Sequence, residues 1–205
     1  MLGAEGISRA LFRRVRDSMP GRLAMLRARY GATIHQLPDL ATLEPDEVDV
    51  ASIEKFPLVF VFLPDTTGKL DSRQTDMTAG YDEYSYRYNV QLYAYVVGDD
   101  YKATSLQMKR YVLALRETML ADKQIIPEDD AGDYAEIDPS TVRESYSQVG
   151  QGVSKKLIAG AFLEFQIVSH ERIVSIFPET PIDHYETNLN VTQATGSGIE
   201  IGLLP

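Results

Sequence analysis

Three histidines, His35, His170 and His184, supply all the imidazole in this chain, and their spacing matches neither HExxH nor any other zinc-ligand pattern. Each reads as a surface or interface histidine. With no cysteine there is no thiolate nucleophile, no disulfide framework and no cysteine-based zinc or iron–sulfur site. Asp99 and Asp100 have the chemistry of a metal or acid/base pair, yet adjacent carboxylates just ahead of a helix serve as capping groups. Gly196-Ser197-Gly198 lacks the strand-to-helix setting of a nucleophile elbow, and Gly150-Gln151-Gly152 has neither the GxGxxG pattern nor a Walker lysine. Tyr84, Tyr86 and Tyr88 could stack on bases or sugars, but Asp82 and Glu83 beside them repel phosphate, so packing or subunit contact is the stronger reading. The residues therefore predict no enzyme, no metal and no cofactor, and no motif marks a small-ligand pocket. A hydrolase or transferase using His170 or His184 would need a pocket that sets the imidazole beside a carboxylate or hydroxyl.

The tyrosines belong to a long alternation. Tyr84, Tyr86, Tyr88, Val90, Leu92, Ala94 and Val96 share one parity, and Ser85, Arg87, Asn89, Gln91, Tyr93 and Tyr95 the other, which predicts a strand over 81–97. At about 3.3 Å per residue it exceeds 40 Å, so it is expected to outgrow one core as a β-arm or hairpin. Residues 56–63, FPLVFVFL, are apolar on both parities and predict a central strand buried on both faces. Residues 65–80 show no apolar period and are expected to be a long loop joining these two strands. Asp99 and Asp100 then open a helix over 101–120, with Ala103, Leu106, Leu113 and Leu120, filled in by Tyr111, Val112, Leu115 and Met119, turned to the sheet.

Upstream, Ser8 is expected to cap a helix starting at Arg9; Pro20 stops or kinks it, and a second piece, 23–30, ends at Gly31. Residues 32–54 read as irregular with a short strand at 48–53. The acidic stretch 123–140 reads as a linker or edge segment. Residues 142–149 and 157–168 read as strands that pair across the 150–152 turn. The predicted fold class is α+β: a mixed, mostly antiparallel sheet with a long β-hairpin at about 56–97, flanked by an N-terminal helix and a central helix. It forms a single domain over 1–180, followed by an extended C-terminal arm over 181–205.

Composition sets the class of partner. A 44% hydrophobic content over 205 residues suits a folded domain, no apolar run approaches the roughly 20 residues that span a bilayer, and Arg9, Arg13, Arg14 and Arg16 interrupt the start where a signal peptide needs an apolar middle. The expectation is a soluble, unexported protein without a membrane partner. A net charge of −10 and a pI near 4.8 oppose general nucleic-acid binding. The charge is uneven, however: seven arginines against Glu5 and Asp17 make the first thirty residues about +5 and leave the remainder near −15. Those arginines either pair with acids of the same or a neighbouring subunit or form a surface that meets DNA or an acidic ring partner.

The order of elements, an N-terminal helix, FPLVFVFL, a polar loop, YDEYSYRYNVQLYAYVVG and the helix YKATSLQMKRYVLALRETML, resembles the tail terminator proteins of long-tailed bacteriophages and the related tail-completion and neck proteins. The resemblance covers about residues 8–120, with 142–168 supplying later strands. It implies a non-enzymatic homo-oligomeric ring, usually a hexamer, that caps the tail tube, stops its growth and faces the head or neck. Its partners would be the tail-tube protein and a neck or head-completion protein, with DNA only as passing cargo; it would assemble in the host cytoplasm and end in the virion. A head–tail connector or a tail-tube subunit fits the same elements. The acidic stretch 123–140 and the C-terminal arm depart from the family pattern and imply contacts with further neck or tail subunits. On this reading the subunit interface falls on Arg9, Arg13, Arg14 and Arg16 of the basic helix and on Asp65, Lys69, Arg73, Tyr84, Tyr86 and Arg87 of the hairpin.

Overall fold

Helix α1 runs unbroken over Gly3–Tyr30, through Pro20. The expected stop at this proline does not occur because Ile7, Leu11, Val15, Met19, Leu23 and Leu26, spaced by three and four, are all fully buried on one stripe that continues past it. Proline inside a helix costs about 3 kcal/mol, whereas burying each such side chain gains about 1.5–3 kcal/mol. Pro20 itself faces solvent. Ser8 is no cap: it is buried inside the helix and donates its hydroxyl hydrogen to the Pro45 carbonyl. The helix does end at Gly31, whose left-handed φ of 60° turns the chain so that the Ala32 amide donates to the Arg27 carbonyl at 2.9 Å.

The computed structural model describes residues 2–73, 81–130, 132–147, 149–151 and 156–174. They fall within one compact unit, Met1–Ser175. The expected C-terminal arm, His184 and the Gly196–Gly198 cluster lie outside the described residues, as do 74–80. The strands are β1 (Thr42–Glu44), β2 (Leu58–Arg73), β3 (Tyr81–Gly98), β4 (Gln124–Ile126), β5 (Tyr134–Tyr146), β6 (Gly150–Gln151) and β7 (Leu157–Val174), and the second helix, α2, spans Tyr101–Leu120. They form one seven-stranded sheet ordered β1-β2-β3-β7-β5-β4, with β6 paired to β7. Only β1–β2 is parallel. The fold is α+β, with an N-terminal and a central helix on a mostly antiparallel sheet.

Several sequence expectations change. Residues 65–73 are strand, not loop: β2 pairs with β3 through Arg73↔Asp82, with irregularities at 62/65 and 70/72. No apolar period marks them because residues 65–71 are exposed on both faces of the sheet, so neither parity has to be apolar. The short strand expected at 48–53 is a 3-10 turn, Val50–Ser52, closed by the Asp49 carboxylate accepting from the Ala51 amide at 3.0 Å. Of the two readings of the acidic stretch 123–140 the edge segment holds and the linker does not, for it contains β4, the last strand in the sheet order, and the first half of β5. In α2 the buried stripe is Thr104, Met108, Tyr111, Val112, Ala114, Leu115, Thr118 and Met119; Ala103 and Leu106 face solvent. The cap is as expected, the Asp100 side chain accepting from the Ala103 amide at 2.7 Å.

Strand β7 lies beside β3 along its whole length, from Gly98↔Leu157 to Tyr81↔Val174. The helices cover one face of this sheet, α2 on β3 and β7 and α1 against α2 and β2. Tyr88, Val90, Leu92, Ala94 and Val96 of β3 meet Leu163, Phe165 and Ile167 of β7 in that core. On the opposite face near the strand bases, Phe60 stacks on Tyr93 at 5.0 Å and Tyr93 meets Phe162 at 5.1 Å, and Phe60 is only 4% exposed although neither α1 nor α2 lies on this face.

Candidate functional site

The buried helix-side row of β3 stops at Tyr88; Tyr86 and Tyr84 beyond it are only half-covered. Eighteen residues of β3 extend about 60 Å, against about 42 Å for the 28 residues of α1. The far ends of β2, β3 and β7 therefore form an arm with two different faces, three-stranded beyond the Tyr84↔Glu171 pair and joined by β5 from Tyr134↔His170 inward.

On the helix-side face the tyrosines make a ladder along β3, Tyr84–Tyr86 at 5.9 Å and Tyr86–Tyr88 at 6.3 Å. Tyr86 lies over Gly68, its cross-strand partner, where a Cβ would come within 2.7 Å of the ring. The ladder is rooted at Glu171, a carboxylate only 5% exposed, which accepts from the Tyr88 hydroxyl at 3.2 Å, the Ser169 hydroxyl at 2.9 Å and the Leu2 amide at 3.4 Å. Burial, with the Glu171 charge adding to it, pushes the Tyr88 phenol up to about 12. At the open end Leu70 is 40% and Ile173 37% exposed.

The other face carries a polar groove of about 570 Å3 bordered by Lys69, Asp71, Ser85, Arg87, Lys123 and His170. Its centre is a short chain of contacts: Ser85 donates to the Asp71 carboxylate, and the His170 Nδ1 lies 3.4 Å from the Ser85 hydroxyl, with His170 stacked on Tyr134 at 4.5 Å. The Ser85 hydrogen bond, joined by the Lys69 and His170 charges, holds the Asp71 carboxyl below its ordinary range. Here a histidine does stand beside a hydroxyl in a groove. The order is wrong for a nucleophile, because the serine proton goes to the carboxylate and not to the imidazole. Ser85 also sits mid-strand between Lys69 and His170, so the ladder uses its amide and supplies no oxyanion donors. Asp138, at the same groove, is held low by its Ser140 hydrogen bonds. No group of three or more His, Asp or Glu among the described residues is arranged to hold a metal.

The structure separates the expected interface residues. Tyr84 and Tyr86 share the helix-side face, whereas Lys69 and Arg87 border the groove and Asp65 accepts from Asn89 beside it. Arg87 lies 3.8 Å from Asp138 and Lys69 3.5 Å from Asp71. Arg73 closes the β2–β3 register opposite Asp82. On α1, Arg9 pairs with Glu5 at 2.6 Å, Arg16 with Asp17 at 2.7 Å and Arg14 with Asp122 at 3.4 Å; Arg27 and Arg29 pair with Asp39 and Glu117. Pairing within the subunit thus accounts for five of the seven arginines, and no ion pair of Arg13 or Arg22 occurs among the described residues.

Asp71, Ser85, Gly68 and Glu171 were not singled out from the sequence. Their roles depend on cross-strand register, which residue types alone do not carry. No protein-family model matches the chain, and no curated protein compared with it matches.

Proposed function

We propose that the chain is a structural virion subunit of a long-tailed bacteriophage: a ring that caps the head-proximal end of the tail tube, ends tail growth and joins tail to neck. What carries the reading is the arm, a hairpin with β7 alongside that outruns its helix cover and presents tyrosines on one face and charged side chains on the other. The element order, helix, strand, hairpin, helix, further strands, is the one on which the resemblance to tail terminators rests. The groove favours no catalysis, since Ser85 gives its proton to Asp71, and function lies in the interfaces. Closure of the ring would be geometric, with one side matching the tube and the other receiving the neck. Electron microscopy of the purified full chain tests this. Single closed rings are expected; open stacked tubes would assign the chain to the tube itself, and a monomer at every concentration would overturn the proposal.

A further inference from the structure

The sheet has two free edges, and both are guarded. Beyond the three residues paired with β1, the outer edge of β2 carries Pro64, two register irregularities and Lys69, whose side chain is 81% exposed. The edge at β5 carries Pro139, an irregularity between 138 and 143, and Arg143. Proline, bulges and charge on an edge oppose addition of another strand. A neighbour is thus directed to a face.

The unguarded face is the helix side of the arm. Leu70 pairs with Tyr84 and Gly68 with Tyr86 across β2–β3, and Ile173 stands opposite Asp82 across β3–β7. An apolar row this exposed, on a sheet whose remaining helix-side surface is core, is a surface without a cover among the described residues. The negative body of the chain favours a basic occupant. The chain carries such a surface: on the exposed side of α1, Arg9, Arg13 and Arg16 are spaced by four and three, with half-buried Phe12 between them.

We propose that the helix-side face of the arm, Leu70, Tyr84, Tyr86 and Ile173, docks a second copy of this chain through the exposed side of that copy's α1, with Phe12 and Arg13 seated on the two tyrosines. The guanidinium then gains a cation–π contact. Three strands wide and about four residues long, the patch covers roughly 200 Å2, a quarter of the about 800 Å2 that each side of a stable interface buries. It is therefore the anchor at the centre of a larger contact. This deepens the ring reading and rests on its premise that copies associate.

Because the chain has no cysteine, the contact can be mapped without background. Full-length Tyr84→Cys is mixed with full-length Arg13→Cys and treated with a short bismaleimide; a covalent dimer is expected, about tenfold more than with Glu136→Cys, on the strand facing the groove, in place of Arg13→Cys. Independently, Leu70→Ser with Ile173→Ser should weaken self-association in sedimentation by about tenfold or more while the melting curve stays in place, both side chains being partly exposed already. If wild type and this double variant associate alike and the 84–13 cross-link is absent, the docking is wrong and the ring reading stands. A wild-type chain that stays monomeric overturns both.

Discussion

The ring of Tyr95 lies across Gly160, the residue opposite it on β7, so that a Cβ at 160 would stand 2.7 Å from the ring edge. Glycine is poor in strands, and here it leaves the space the aromatic ring fills, as Gly68 does beneath Tyr86 on the opposite face. Gly160→Ala should destabilise the domain by about 1–3 kcal/mol. Thermal unfolding of Gly160→Ala, Tyr95→Ala and the pair forms the check. The double variant should lose less than the sum of the two singles, and additive losses would reject the contact.

Tyr111 is fully buried on α2 and donates its hydroxyl to the Pro38 carbonyl, tying the helix to the chain that leaves α1. Tyr111→Phe keeps the ring and strands that carbonyl, at a cost of about 1–2 kcal/mol. Denaturant titration at unchanged slope would measure it.

The alkaline limb of stability should report Tyr88. Its ordinary value of 10.0 rises to about 12 in the fold, so above pH 10 the unfolded chain gives up a proton that the folded chain keeps. The contribution is full below pH 10 and is lost as pH climbs toward 12. Tyr88→Phe should make that window shallower in a pH series of melting curves, the raised Tyr111 and Tyr146 phenols carrying the remainder, and an unchanged slope would contradict it.

The acid limb has the opposite sign. Asp71 is held below its ordinary 3.8 by Ser85 first and by nearby cations after it. Its stabilisation is present above that value and disappears as pH falls through the folded-state value. Ser85→Ala and Asp71→Asn should each make the fold less sensitive to acid, the second no further when added to the first.

Arg13 and Arg14 are neighbours with different duties. Arg14 is 15% exposed and donates to the Asp122 and Gln124 carbonyls, the latter at 2.6 Å. Arg14→Glu should cost about 2 kcal/mol or more in folding, whereas Arg13→Glu should stay within about 0.5 kcal/mol and weaken assembly seen by light scattering. Equal effects of the two on both measurements would contradict this division.

How much of this the sequence carries depends on where the informative side is. Residues 81–98 announce their strand because one parity must be apolar under the helices, and Asp100 announces α2 because a cap is a local device. Residues 65–73 stay silent because a strand outside the core has no parity to keep. Pro20 misleads because a proline penalty is local while the Ile7–Leu26 stripe that outweighs it is tertiary. The seven arginines are visible as a basic segment, but that five are paired depends on partners as far along the chain as Asp122 and Glu117. The Asp71–Ser85–His170 contacts join three strands, and only register brings them together.

The strand order has a temporal side. β7, at the middle of the sheet, is the last described strand in sequence, so β2 and β3 leave the ribosome long before the strand that flanks them. Until about residue 174 has been made, β3 has a bare edge and Ile173 is missing from the apolar row. Partially synthesised chains thus have the hairpin without the finished arm. Under the docking proposed above, self-association would be reserved for molecules whose translation has passed β7, an order in which completing the chain comes before joining a neighbour.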